Sequence, residues 1–157
     1  MEIIKTDLAI KLEEKYNIDF TPTKGTDNSA AYDVRACTEE EIILYPQGCI
    51  RVSLGFSAHI GSYNKYLAGF LLPRSGLGSL DGIVLGNLIG LIDADYQDEW
   101  KAAIWNRNDD TSIHIKPGMK IAQLVFLPVI NNIDFINADT FSNSTSRKGG
   151  FGSTGNM

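Results

Sequence analysis

Sulfur, imidazole and positive charge are all scarce in this chain, and each shortage removes a class of function. There are two cysteines and two histidines in 157 residues. Cys37 and Cys49 match neither a zinc-ligand spacing nor a CxxC redox pair, so a reduced, unpaired state is expected. His59 and His114 fall in strand-like alternation beside polar neighbours and lack the clustering of a metal site. Nothing supports a Ser-His-Asp triad. Lys and Arg number 14 against 19 Asp and Glu, giving a net charge of −5 and a pI near 4.9. That balance offers no general basic face, and direct nucleic-acid binding is not expected. It leaves room for one anionic small molecule, which needs a few local donors and a metal ion. Long apolar runs are also missing. Uncharged stretches such as 82–92 and 121–133 fall short of the roughly 18 residues of a membrane span, and Pro128 interrupts the second. Glu2, Lys5 and Asp7 precede any apolar run, so no secretory signal is expected and the cytoplasm is the expected compartment.

What is present is the composition of one ordinary globular domain, 43% apolar and 21% charged. Several short runs alternate with period two, as half-buried strands do: Leu8, Ile10, Leu12; Phe56, Ala58, Ile60; Trp100, Ala102, Ile104. The run IAQLVFLPVI at 121–130 reads as a strand buried on both faces. Turn signals separate the runs at Pro46 and Gly48, at 106–110, and at Pro117 and Gly118. Many short strands so spaced predict a sandwich or barrel. Helix is scarce, the best candidate being a short turn after Ser75. Residues 13–29 read as a polar surface loop, and 142–157, rich in Ser and Gly, hold no core pattern.

Three constellations could carry chemistry. In PRSGLG at 73–78, Arg74 is a planar, permanently charged fork suited to phosphate oxygens. Ser75, Gly76 and Gly78 let the backbone turn tightly and aim N–H groups at an anion, and a helix starting here would add partial positive charge. An ordinary surface turn has the same composition. In GLIDADYQDEW at 90–100, Asp93 and Asp95 lie where a strand emerges into a turn. A carboxylate there can orient and deprotonate water, and Tyr96 offers a flat face to a sugar or base. A solvent-facing hairpin is the alternative, and Asp98 and Glu99 fit it. In RKGGFGSTG at 147–155, glycines flank a single aromatic, with basic residues before and hydroxyls after. A flap over a nucleotide would use all three kinds of residue; a plain disordered tail would use none.

Together these stretches resemble the trimeric dUTP pyrophosphatase (dUTPase) family. The matching segments, in order, are AAYDVRA (30–36), PRSGLG with GIVLGN (73–78 and 82–87), GLIDADYQDEWKAAIWN (90–106), GMKIAQLVFLPV (118–129) and GGFGSTG (149–155). The resemblance implies an all-β, jelly-roll-like barrel with one short helix. It implies a homotrimer with active sites at subunit interfaces, and Mg²⁺ as cofactor. The barrel would occupy 1–141, and 142–157 would be a mobile flap exchanged between subunits to close a neighbouring site. The implied activity is hydrolysis of dUTP to dUMP and pyrophosphate, which limits uracil incorporation into DNA and supplies dUMP for thymidylate synthesis.

Carried over by position, the resemblance implies that Asp93 holds the attacking water and contacts the sugar 3′-hydroxyl. Tyr96 would pack on the deoxyribose and exclude a 2′-hydroxyl. Asn87, with the backbone of Gly90, Leu91 and Ile92, would read the uracil edge. Arg74, Ser75, Gly76 and Gln123 would hold phosphates or the frame around them. Asp33 would sit near the water shell of Mg²⁺, the ion itself being held mainly by substrate phosphates. Phe151 would stack over uracil beside Gly152, with Ser153 and Thr154 on the terminal phosphate. Two positions depart from the family pattern: Ala31 stands where Gly is usual, and Ser146 stands at the usual tail arginine. Arg147, one residue closer to Phe151, is expected to take that role in a shortened flap. The related dCTP deaminase activity would require a carboxylic acid where this chain has Ala103, and its Arg-Ser-Ser pattern is broken by Gly76. A binding or regulatory module without hydrolysis would be expected to lack Asp93, Tyr96 or the tail, and all are present.

Overall fold

The computed structural model describes residues 1–143 and 145. In chain order the elements are β1 (Glu2–Lys5), α1 (Asp7–Tyr16), β2 (Tyr32–Arg35), β3 (Ile42–Leu44), β4 (Cys49–His59), β5 (Leu67–Pro73), α2 (Ser75–Ser79), β6 (Ile83–Leu85), β7 (Gly90–Ile92), β8 (Glu99–Asn106), β9 (Ile113–Ile115) and β10 (Lys120–Pro128). Two four-stranded sheets, ordered β1-β4-β8-β6 and β2-β10-β5-β7, face each other, and β3 pairs with β9. Every strand pairing is antiparallel, as a jelly-roll β fold requires.

Period two sets which side chains meet between the sheets. Trp100, Ala102 and Ile104 of β8 are buried, as are Phe56 and Ala58 of β4 and Ile60 just beyond it. The Phe56 and Trp100 rings pack with centroids 5.3 Å apart. Each such large side chain, removed from water, contributes about 1.5–3 kcal/mol. From the other sheet, Val34, Leu71, Ala122 and Leu124 complete the core. Cys37 is buried and Cys49 is exposed, and neither is paired.

Three expectations change. The alternation at Leu8, Ile10 and Leu12 is not a strand: these residues lie in α1. Thr6 caps it, its hydroxyl accepting from the Ala9 amide at 3.2 Å. Asp7 in the first turn and Lys15 in the last complement the helix dipole. The buried residues are Ala9 and Leu12, three apart on one helical face, while Ile10 is exposed, so period 3.6 wins over period two. The stretch 13–29 is not simply a surface loop either. Its first four residues finish α1, and Phe20, 1% exposed, closes a second small core with Ala9, Leu12 and Cys37. Lys5 fixes that corner, with its ammonium 2.7 Å from Glu13 and 2.9 Å from Asp19. Finally, β10 is not buried on both faces: its buried residues face the core, and its outer face carries Lys120 and Gln123. Ile121, Ala122 and Leu124 are buried, but Leu127, Pro128 and Ile130 are exposed.

Candidate active site

The sheet β2-β10-β5-β7 carries most of the site residues expected from sequence. Gln123 on β10 stands between Asp33 on β2 and Leu72 on β5. Directly opposed residues share a face, so Asp33, Gln123 and Leu72 form one cross-strand row. The flanking rows contain buried Leu124 and Leu71, and buried Val34 and Ala122, and these face the core. The Asp33 row therefore faces outward. Arg74 follows β5 at the entry to α2. The backbone of Gly90–Ile92 pairs with the opposite edge of β5. Gly90 is needed there, since a Cβ would come within 3.0 Å of Leu71 Cβ.

Asp33 is nearly buried although it points out of the sheet, because two cations cover it. Arg74 Nε donates to Oδ1 at 3.1 Å and Lys120 Nζ donates to Oδ2 at 2.8 Å. Burial alone would raise the Asp33 pKa. The Lys120 hydrogen bond and the charges of Arg74 and Lys120 outweigh it and hold the carboxyl below its ordinary value. Because Arg74 spends its Nε on Asp33, the outer guanidinium nitrogens remain the part able to grip phosphate, with Nη1 at 3.4 Å from the Lys120 carbonyl.

Lys120 was not among the residues singled out from sequence. The signal was indirect: a carboxylate on a strand beside a core demands a cationic partner. A β-bulge supplies it. Lys120 pairs with Arg35 and Ala122 with Val34, so β10 has one extra residue, Ile121, at that point. The bulge lets both Ile121 and Ala122 turn inward and returns Lys120 to the face of Asp33.

The remaining candidates lie around β7. Residues 86–89 carry the chain from β6 in one sheet to β7 in the other, with Asn87 exposed. Asp93 follows β7, exposed, and its carbonyl accepts from the Tyr96 amide at 3.3 Å, so the two share one turn. Tyr96 is 42% exposed and its hydroxyl donates to the Glu99 carbonyl at 3.3 Å. Ser75 and Gly76 are exposed in α2, and a Cβ at Gly76 would meet nothing within 4 Å. The fold itself thus does not require glycine at 76. Ala31 needs no glycine-like backbone, because among described non-glycine residues positive φ occurs at Asn17, Gln47 and Leu88. Arg147, Phe151, Gly152, Ser153 and Thr154 lie outside the described residues.

Residues 19–155 match the family model described as dUTPase. The chain belongs to the dUTPase family. It is 43% identical over 149 residues to a deoxyuridine 5′-triphosphate nucleotidohydrolase of Neisseria meningitidis serogroup C, covering 95% of this chain and 97% of that one. It is 45% identical over 134 residues to the enzyme of the same name from Enterobacter sp. strain 638, covering 85% and 86%. Among solved structures, the fold resembles the dUTPase of Staphylococcus bacteriophage 80alpha with dUPNHPP at a TM-score of 0.77 and 23% identity, covering 98% and 97%. It also resembles a D95N mutant dUTPase of phage phi11, whose structure describes coordination of a structural Mg(II) ion, at a TM-score of 0.72 and 21% identity, covering 91% and 100%.

The donor set fits a divalent ion carried in by a ligand rather than one caged by protein. Among the described residues no three His, Cys, Asp or Glu side chains converge as a metal site. Asp33 nevertheless retains capacity. A carboxylate has about four lone-pair sites, and the two cations engage two. Metal-bound waters are suitable donors for the rest.

Proposed function

We propose that the chain hydrolyses dUTP to dUMP and pyrophosphate. The observation carrying this reading is the outward row of Asp33 and Gln123, with Arg74 bound to Asp33 where β5 ends. It offers a cationic fork for phosphates, while the exposed Asp93–Tyr96 turn follows β7 toward the other end of β5, where Gly69 pairs with Ile92, and would serve a phosphate held by Arg74 of another copy of the chain. The curated relatives named above support the substrate.

Each residue then has a task. Arg74, with Ser75, Gly76 and Gln123, binds and frames the triphosphate. Asn87 and the Gly90–Ile92 backbone read the uracil edge. Tyr96 packs on the deoxyribose and excludes a 2′-hydroxyl. Asp93 orients a water and takes its proton as the water oxygen bonds to the α-phosphorus, while the bond from that phosphorus to the bridging oxygen breaks and pyrophosphate leaves. Mg²⁺ bound through the substrate phosphates supplies charge compensation, with Asp33 beside its water shell.

Completion of the site by other copies of the chain is part of the same reading. Phe135, Ile136 and Phe141 are 95%, 86% and 91% exposed in the isolated chain. Leaving each in water forgoes about 1.5–3 kcal/mol, which supports their burial in a homotrimer. The barrel would occupy 1–141, and 142–157 would close a neighbouring subunit's site, with Phe151 on the base, Gly152 beside it, and Arg147, Ser153 and Thr154 on phosphate. Unpaired Cys37 and Cys49 fit a reducing, cytoplasmic setting. The test is pyrophosphate release measured side by side with dUTP, dCTP, dTTP and UTP. Turnover confined to dUTP is expected. Equal rates on dUTP and UTP would remove the role given to Tyr96.

A further inference from the structure

We infer that Lys120 is a positioning residue for the phosphate site: it occupies one oxygen of Asp33 so that Arg74 cannot fold both arms of its fork onto that carboxylate. The inference rests on the reading of Arg74 as the phosphate-binding cation. Asp33 divides its oxygens, Oδ1 taking Arg74 Nε at 3.1 Å and Oδ2 taking Lys120 Nζ at 2.8 Å. A guanidinium and a carboxylate left to themselves prefer two parallel hydrogen bonds. Such a pair would consume a terminal nitrogen of Arg74 as well as Nε. With Lys120 on Oδ2, Arg74 engages the carboxylate through Nε alone; Nη1 donates to the Lys120 carbonyl at 3.4 Å, and Nη2 stays available to an anion.

The charge count points the same way. Asp33 with Arg74 alone is neutral; with Lys120 the cluster carries one net positive charge, which suits a polyanion. The placement is built into the strand rather than left to a flexible side chain. The extra residue at Ile121 shifts the register between Lys120 and Ala122. An unbulged β10 would set Ile121, now 1% exposed, opposite Arg35 and turn Lys120 to the other face of the sheet. One backbone irregularity thus both buries Ile121 in the core and sets Lys120 on the face of Asp33.

The experiment compares binding of a non-hydrolysable dUTP analogue with binding of deoxyuridine, by calorimetry, with EDTA present so that any role of Asp33 beside the ion does not enter. Lys120→Met should weaken the analogue by about ten- to a hundredfold, the range of a charge-assisted hydrogen bond, and leave deoxyuridine unchanged. Lys120→Arg should restore most of the loss. Asp33→Asn combined with Lys120→Met should bind the analogue better than Lys120→Met alone, because the neutral amide no longer draws in the fork. A merely structural lysine would give no such recovery, and the double variant also removes the buried charge that the single variant leaves with one cation instead of two. If Arg74→Gln weakens the analogue but Lys120→Met does not, the inference fails and the phosphate reading stands. If Arg74→Gln is itself silent, both fail. A double variant no better than Lys120→Met also overturns the inference.

Discussion

The amide of Ile89 donates to the carbonyl of Asn87 at 2.7 Å, closing a three-residue turn on Leu88 with φ at 63°. A left-handed conformation costs an L-residue about 1–2 kcal/mol, and Leu88 is 73% exposed, so no core contact offsets it. The strain sits beside the residue assigned to the uracil edge, where backbone outliers tend to be functional. Leu88→Gly should keep the turn, with stability within about 1 kcal/mol of native. Leu88→Val, whose branched side chain tolerates positive φ poorly, should destabilise and raise KM for dUTP more than it lowers kcat. Melting curves and steady-state kinetics on the two variants check this. Gly worse than Val would mean that the side chain of Leu88, not its backbone, matters.

Asp93→Asn should retain the fold and nucleotide binding and lose turnover by about 10²–10⁴-fold, the usual worth of a general base. Asp93 is exposed in the isolated chain, so melting should hardly move. The check is calorimetric binding of the dUTP analogue alongside pyrophosphate release. Near-native turnover would transfer attention to Asp95.

How far the sequence showed this depended on whether a signal was local. The core strands were legible because Trp100, Ala102 and Ile104 repeat with the period of the pleat. The α2 turn was legible from Ser75 and Gly76. Helix α1 is ambiguous in sequence because Leu8, Ile10 and Leu12 fit period two as well as Leu8 and Leu12 fit a helical face, and the Thr6 cap decides between them. Lys120 was invisible because its partner, Asp33, lies 87 positions away and meets it through a bulge that no local pattern announces. Asp33 itself was reached through a family resemblance, whereas its buried pairing is a property of tertiary structure.

Acid should destabilise the chain through two carboxylates. The Lys5 hydrogen bond, with the Thr21 amide, holds Asp19 well below the ordinary carboxylate range, and Asp33 is lowered despite its burial. A depressed folded pKa contributes stability that is present above the unfolded value, near 4, and is lost as pH falls through the folded value. Stability should therefore be flat near neutrality and decline below about pH 4. Asp33→Asn should flatten that decline while costing about 1–2 kcal/mol at pH 7, a figure kept low because both cations remain one-third exposed to solvent. Urea melts of both proteins from neutral to acid pH give the comparison; an unchanged acid slope in the variant would show that Asp33 does not contribute to it.

Shared active sites lead to the most demanding prediction. If residues 142–157 of one subunit complete a site whose Asp93 belongs to another, two differently inactivated chains should rescue each other. Chains with Asp93→Asn supply an intact tail and no base; chains truncated before Ser142 supply the base and no tail. Each preparation alone should be nearly inactive. Co-refolded mixtures, confirmed as mixed trimers by native mass, should recover activity well above the sum of the two, because some sites then combine a native Asp93 with a native tail. Phe151→Ala within the full chain should lower kcat/KM without shifting the trimer melting transition, since its assigned partner is the base and not the barrel. Mixed trimers without recovered activity would show that each site takes its tail from the subunit that carries its Asp93. A monomeric mass at assay concentration would remove the trimer itself and leave Phe135, Ile136 and Phe141 without the partner their exposure calls for.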